Sequence, residues 1–167
     1  EVGKIIRRTV AGTGKRLTLE LGGKAANIAF EDAPLDQAVE GVINGIFFNQ
    51  GHVCCAGSRL LVQEPVFEPL LEKLKDRLQT LRVGNPLDKN TDIGAINSKA
   101  QLAKIEELVA AGVDEGAEMY QPECALPERG FWFRPTLFTN VSQSHRIARE
   151  EIFGPVLSIL PFDTVDE

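Results

Sequence analysis

The sequence has few of the residues that build metal sites or disulfide frameworks. Only two histidines, His52 and His145, occur in 167 residues, and they lie far apart. The three cysteines, Cys54, Cys55 and Cys124, are odd in number and lack CxxC spacing, which disfavours both a disulfide framework and a zinc site. A disulfide between the adjacent cysteines Cys54 and Cys55 is also unfavourable, because its geometry would be strained. We therefore expect no bound metal and a reducing, cytoplasmic location.

Basic runs and long apolar stretches are also missing. The formal net charge is −6 and no cluster of Lys or Arg is present, which argues against nucleic-acid partners. No apolar stretch approaches the roughly 20 residues that cross a bilayer, so we expect no membrane partner. The opening Glu1–Ile5 lacks both an initiating Met and the apolar core of a signal peptide. These features favour a fragment or an excised domain of globular composition.

The hydrophobic pattern alternates between short strands and amphipathic helices. Strands are predicted at Leu17–Leu21, Ala26–Phe30, Leu60–Val62, Ala117–Tyr120, Trp132–Phe138 and Val156–Leu160. Helices are predicted over 1–10, after Asp32, over 67–81, after Asn97 or Ser98, and over 144–150. This order is typical of βαβ units, so we expect an α/β fold with a mostly parallel sheet. The apolar run Ala26–Phe30 suggests a strand covered on both faces.

One loop carries a candidate nucleophile. Cys54 lies between a predicted helix and a predicted strand, where α/β folds expose functional loops. Small neighbours such as Ala56 and Gly57 let a substrate approach closely. On residue preference alone, however, a Cys pair beside Val53 and Ala56 is more typical of inert packing. Nucleophilic chemistry requires a base or a positive local field that promotes the thiolate.

Glu20 is the second candidate. It lies near the end of a predicted strand and is followed by Gly22, Gly23 and Lys24. An ion pair with Lys24, or a solvated strand end, would explain it structurally. A partly buried Glu instead becomes a useful general base near neutral pH. The residues alone leave these interpretations open.

Three collinear motifs resemble those of one family. Glu20-Leu21-Gly22-Gly23-Lys24 resembles the glutamate motif of the aldehyde dehydrogenase superfamily, and Phe48-Asn49-Gln50-Gly51-His52-Val53-Cys54 resembles its cysteine motif. Cys54 lies 34 positions after Glu20, an interval that suits that family. Glu150-Glu151-Ile152-Phe153-Gly154-Pro155-Val156 resembles a third motif, and Glu1-Val2-Gly3 resembles the tail of a cofactor-domain segment. Residues 39–42 and 127–129 resemble the family 16 branch.

This resemblance covers the whole chain but only the central part of a family member. It implies a doubly wound α/β catalytic domain over 23–167, truncated at its C-terminus, with 1–22 as the end of the cofactor-binding domain. It also implies NAD or NADP as cofactor and an aldehyde as substrate. The expected partners are the remainder of the aldehyde dehydrogenase chain and further copies of a homo-oligomeric parent. Because most cofactor contacts would lie elsewhere, we expect the chain alone to have little or no activity.

The resemblance also implies a role for each candidate. Cys54 would attack the aldehyde and form a thiohemiacetal and then a thioester, which Glu20 would hydrolyse as general base. Glu151 would bind the ribose hydroxyls on the nicotinamide side, Phe153 would pack near the nicotinamide, and Leu21 would lie beside its carboxamide through the backbone. His52 stands where the family usually has Gln.

Three other functions stay open. The chain could be a non-catalytic scaffold domain of this family, although the presence of both Cys54 and Glu20 argues against it. It could be a cysteine hydrolase or thioesterase with His52 as base, but His52 lies only two positions from Cys54 and no orienting acid is evident. It could transfer the acyl group to phosphate or coenzyme A, whereas Glu20 favours water as acceptor.

Overall fold

A computed structural model describes residues 1–167. Its helices are α1 (Val2–Val10), α2 (Leu35–Phe47), α3 (Glu64–Gln79), α4 (Lys99–Asp114) and α5 (Arg146–Arg149), with a 3₁₀ turn at Phe48–Gly51. Its strands are β1 (Ala26–Ala29), β2 (Arg59–Gln63), β3 (Glu118–Tyr120), β4 (Thr136–Thr139) and β5 (Val156–Phe162). No helix is both long and apolar enough to cross a membrane.

The five strands form one sheet in the order β1-β2-β5-β4-β3. Strands β1, β2, β5 and β4 pair in parallel, and β3 pairs antiparallel with β4 at the edge. The central pairing places Leu60 of β2 beside Ile159 of β5. The mostly parallel α/β sheet predicted from the sequence is therefore confirmed.

Helices cover both faces of this sheet. Side chains on one face, among them Leu157 and Ile159, pack into a core with α2 and α3. The alternate residues of the same strand, Val156 and Leu160, pack into a second core with α4 and α5. Buried Ser158 belongs to the second face, where its hydroxyl donates to the Ile147 carbonyl at 3.0 Å. The two cores confirm the doubly wound arrangement with flanking helices.

Three sequence predictions differ from the structure at the margins of the sheet. Residues Leu17–Leu21 form no strand, because a strand needs a ladder partner and no neighbouring strand pairs with them. β1 forms, but it is not covered on both faces, since it is the edge strand and Ile28 is 57% exposed. The predicted strand over Trp132–Phe138 begins only at Thr136, after Pro135, which cannot donate to a ladder.

Helix boundaries follow local signals closely. α4 begins after Ser98, whose hydroxyl accepts a hydrogen bond from the Gln101 N–H at 3.2 Å, as expected for an N-cap. α3 has Pro65 in its first turn and buries the Leu70, Leu71, Leu74 and Leu78 stripe. These caps fix where the connecting loops begin and hence where the candidate site lies.

Candidate functional site

The three motifs lie at the amino ends of three adjacent parallel strands. Residues 20–24 precede β1, the Cys54 loop precedes β2, and residues 150–155 precede β5. Because β1, β2 and β5 are neighbours in the sheet, these segments meet along a single edge. Open α/β sheets more commonly bind ligands at the carboxyl ends of their strands. The candidate site therefore uses the opposite edge.

Cys54 and Cys55 occupy the tip of a tight turn. The Ala56 N–H donates to the Val53 carbonyl at 3.0 Å, which closes a four-residue turn with the two cysteines at its centre. Val53 packs against the first core and Ala56 is buried, so the turn is anchored on both sides. Both thiols are free and exposed. The structure thus does not bury the cysteine pair as inert packing.

The turn is held against the segment before β5. Gly51 has φ +73°, and a Cβ at this position would lie 2.1 Å from the Gly154 carbonyl oxygen. Only glycine allows the two backbones to come this close without distortion. The next residue, His52, bonds through Nδ1 to the Phe153 carbonyl at 2.7 Å. The cysteine motif and the third motif are therefore in direct contact.

We expect Gly51→Ala to lower the free energy of unfolding by roughly 3 kcal/mol, because the methyl group would overlap the Gly154 carbonyl and φ is positive. Urea denaturation measures the change. Gly41→Ala is the matched control: Gly41 lies in α2 with no atom within 4 Å of the added carbon, so we expect a gain of about 0.5–1 kcal/mol. Equal effects of the two substitutions would contradict the close approach.

Glu151 lies beside the glutamate motif. A Cβ on Gly22 would lie 2.9 Å from Glu151 Oε2, so the absence of a side chain at Gly22 leaves room for this carboxylate. Glu151 is half-buried and neither forms an ion pair nor accepts a hydrogen bond within the chain. Its oxygens are therefore available to hydroxyl groups of a ligand. Leu21 is 60% exposed and contacts α1 near Gly3.

Glu20 lies exposed in the irregular segment between α1 and β1. It forms no ion pair with Lys24, which removes one of the two structural explanations considered for it. Its exposure agrees with the other, a solvated position, and not with a partly buried carboxylate. No hydrogen bond joins Glu20 to Cys54. The structure thus brings the Cys54 loop, through Gly51 and His52, against the Phe153 segment, and it places Gly22 beside Glu151. It leaves Glu20 without a partner.

Lys24 is the most perturbed titratable group near this edge. Its Nζ is buried and has no hydrogen-bond partner. Burial, followed by repulsion from the Arg59 guanidinium, lowers the pKa of Lys24 from 10.5 to about 8. Arg59 itself donates from Nη2 to the Lys24 carbonyl at 2.7 Å, which fixes the start of β1 against the start of β2.

This pKa predicts a pH-dependent stability. Between pH 8 and 10.5 the unfolded chain binds the Lys24 proton more tightly than the folded chain, so the free energy of unfolding rises with pH across that window. Lys24→Met should remove the rise and should stabilise the protein near neutral pH. Urea denaturation at about pH 7 and about pH 10 tests both points. The exposed Lys99→Met serves as control, and a rise unchanged in Lys24→Met would refute the assignment.

Sequence reasoning missed the residues that hold Phe153. Gln101, in the first turn of α4, donates from Nε2 to the Ile152 carbonyl at 2.8 Å and to the Phe153 carbonyl at 3.1 Å. The Asn97 N–H donates to His52 Nε2 at 3.3 Å. These contacts join residues about 50 positions apart, so no local pattern could reveal them.

The large cavities lie elsewhere. The largest, of about 800 Å³, is lined mainly by residues of 67–75, 115–118 and 139–145. Neither it nor the other four main cavities include Cys54, Glu20, Glu151 or Phe153. None of these five cavities forms around the candidate site, where Cys54 and Glu20 are both exposed.

Comparison with known proteins finds relatives that match the chain over nearly its whole length. The family model described as "Aldehyde dehydrogenase family" matches residues 1–167. The chain is 48% identical over 168 residues to retinal dehydrogenase 2 of Gallus gallus, covering 100% of this chain and 32% of that protein. It is also similar to the structure of an NAD-dependent aldehyde dehydrogenase from Sinorhizobium meliloti, with a TM-score of 0.93, 45% identity and coverage of 99% and 33%. It is likewise similar to an NAD+ complex of an aldehyde dehydrogenase from Bacillus cereus. That comparison has a TM-score of 0.91 and 40% identity, and it covers 99% of this chain and 34% of that chain. The chain spans about a third of the length of these proteins.

Proposed function

Because the chain belongs to the aldehyde dehydrogenase family, we propose that the whole protein oxidises an aldehyde to a carboxylic acid with NAD+ or NADP+ as the oxidant. The observation that carries the proposal is the meeting of the three motifs at the amino ends of β1, β2 and β5. An exposed thiol, a carboxylate free to bind hydroxyls and a candidate base share one edge of the sheet.

Cys54 is the proposed nucleophile. Its thiolate adds to the aldehyde carbon, forms a C–S bond and leaves negative charge on the former carbonyl oxygen. The backbone N–H groups of Cys54 and Cys55 donate to no backbone or side-chain acceptor within the chain. They are therefore free to donate to this oxyanion at the tip of the turn, with a further side-chain donor from outside the chain.

The residues around the turn fit a nicotinamide cofactor. The Glu151 carboxylate is proposed to accept hydrogen bonds from the ribose hydroxyls, and Gly22 leaves the space beside it open. Phe153 and the Leu21 backbone would contact the nicotinamide end. When bound, NAD+ or NADP+ supplies the hydride acceptor for the oxidation of the thiohemiacetal to a thioester.

Glu20 is the proposed general base for the second half of the reaction. It takes a proton from water while the water oxygen attacks the thioester carbon. The C–S bond then breaks, the carboxylic acid leaves, and the Cys54 thiolate is restored. Because Glu20 is exposed in this chain, the surroundings that tune it would come from the rest of the protein.

The cysteine-hydrolase alternative is less well supported. Both ring nitrogens of His52 are engaged, one with the Phe153 carbonyl and the other with the Asn97 N–H. Neither nitrogen is free to take a proton from Cys54. The dehydrogenase proposal requires no base at His52.

We also propose that residues 1–22 end the cofactor-binding domain and that 23–167 are part of the catalytic domain. α1 supports this division, since it buries only Gly3 and leaves Val2 and Ile5 more than half exposed. An amphipathic helix with a bare apolar face requires a further packing partner. The remainder of the parent chain would supply it, and the parent would form a homo-oligomer.

The test is a dehydrogenase assay of the full-length protein against a panel of aldehydes with NAD+ and NADP+ in turn. We expect one cofactor to be reduced in proportion to the acid formed, and we expect residues 1–167 alone to show little or no turnover. Absence of reduction with every aldehyde would favour the non-catalytic scaffold instead. Alkylation by iodoacetamide adds a second criterion, because Cys54 should react faster than the half-buried Cys124 near neutral pH.

A further inference from the structure

His52 is bonded through both ring nitrogens to two different segments. Nδ1 lies 2.7 Å from the Phe153 carbonyl oxygen, which can only accept. Nε2 lies 3.3 Å from the Asn97 N–H, which can only donate. The two partners together define one tautomer, with the proton on Nδ1 and a lone pair on Nε2. A doubly protonated ring has no acceptor left for the Asn97 N–H.

Phe153 needs such support because its backbone is strained. It has φ +57°, a conformation that bulky residues rarely adopt and that costs of order 1–3 kcal/mol. Its carbonyl accepts from His52 and also from Gln101 Nε2, and its ring stacks on the imidazole with centroids 5.5 Å apart and planes 18° apart. Strain of this kind persists only when several contacts impose the conformation together.

We propose that neutral His52 is a positioning residue that fastens the Cys54 turn to the Phe153 segment and to the start of α4. His52 is two positions from Cys54, and Gly51 already lies against Gly154. The imidazole therefore couples the proposed nucleophile to the residue expected beside the nicotinamide. A second proton on the ring would leave no acceptor for the Asn97 N–H, which would break this contact and loosen the coupling.

Other charged groups on the adjoining elements do not bond to the imidazole. The titratable side chains nearest in sequence on its own loop and on the two segments packed against it are Cys54, Cys55, Arg149, Glu150, Glu151, Lys99 and Lys104. None of them forms a hydrogen bond or an ion pair with His52. The hydrogen bonds that hold the ring are therefore those to the Phe153 carbonyl and the Asn97 N–H, and not bonds to a charged side chain.

The substitutions His52→Gln and His52→Ala distinguish the effect of the two hydrogen bonds from the effect of a ring that titrates. The Gln side chain has an amide donor for the Phe153 carbonyl and an amide oxygen for the Asn97 N–H, and it does not titrate. We expect His52→Gln to keep the coupling and to lose its pH dependence. His52→Ala loses both hydrogen bonds and the stacking, and we expect amide exchange at Asn97 to rise about tenfold.

NMR of the protein provides the direct readout. In the unsubstituted protein, the ring nitrogens should show the proton on Nδ1 at neutral pH, and the Asn97 amide resonance should shift with pH together with the ring. In His52→Gln the Asn97 resonance should not titrate, and its exchange should stay near that of the unsubstituted protein. An Asn97 amide that ignores ring protonation, or exchange in His52→Gln as fast as in His52→Ala, would overturn the proposal.

The effect on turnover rests on the proposed function, whereas the NMR readout does not. In the full-length protein, His52→Ala should lower kcat/KM about tenfold, and His52→Gln should rescue it. Loss of the NMR signature with normal dehydrogenase activity would sink only the His52 proposal. An intact signature in a protein that oxidises no aldehyde would sink only the proposed function.

Discussion

Cys54→Ser in the full-length protein should reduce aldehyde oxidation by at least about 10³-fold, with cofactor binding retained. The hydroxyl is a much weaker nucleophile than the thiol, and no base side chain hydrogen-bonds to residue 54 to activate it. The measurements are cofactor reduction in the steady state and binding of the cofactor by fluorescence. The substitution is isosteric at an exposed turn, so we expect the unfolding midpoint to stay unchanged.

The neighbouring thiols provide matched controls. Cys55→Ser changes the other central residue of the same turn, and Cys124→Ser changes a half-buried thiol on a separate loop. Both variants should keep most of the activity. Normal turnover in Cys54→Ser, or a loss of the same size in Cys55→Ser, would remove Cys54 from the proposed role.

Glu20→Gln should slow the steady state by about 10²–10⁴-fold while leaving one rapid round of cofactor reduction. The amide cannot take a proton from water, so the thioester on Cys54 should accumulate. Rapid mixing would show a burst close to one equivalent of reduced cofactor per site. Mass spectrometry of the quenched protein would show the acyl group on the peptide that contains Cys54.

Glu31→Gln is the control for this change, because Glu31 is an exposed glutamate near the other end of β1. It should leave both phases intact. Unaltered steady-state turnover in Glu20→Gln would show that another group activates water. Accumulated acyl-protein that phosphate or coenzyme A discharges faster than water would instead favour acyl transfer, the third alternative considered from the sequence.

Much of the fold follows from periodicity. The leucines of α3 recur at helical spacing, and the buried side chains of β5 alternate between the two cores. Both elements can therefore be predicted from the sequence. Leu17–Leu21 shows the same alternation yet forms no strand, because pairing depends on a neighbour that local sequence does not specify. The prediction that β1 is covered on both faces is wrong for a related reason, as the exposure of Ile28 shows. Strand order decides which strand has only one neighbour, and local sequence does not specify that order.

The candidate site could be predicted only in part from the sequence. The motifs made Cys54, Glu20 and Glu151 candidates through a family resemblance, whereas residue preference alone favoured an inert Cys pair. What the sequence could not indicate were the long-range contacts: Gln101 on the Phe153 carbonyl and the near-contact of Gly51 with Gly154. Such contacts arise from strand order and helix placement, which bring distant segments together after the local elements are set.

The location of the site at the amino edge of the sheet has a further consequence for how the protein can vary. β2 is five residues long, so at about 3.3 Å per residue its two ends lie roughly 15 Å apart. Residues 30–34, which connect β1 to α2 at the opposite end, can therefore lengthen or change composition during divergence without moving the thiol. Related proteins can thus differ at one end of the strands while the three loops at the other end keep their relative positions.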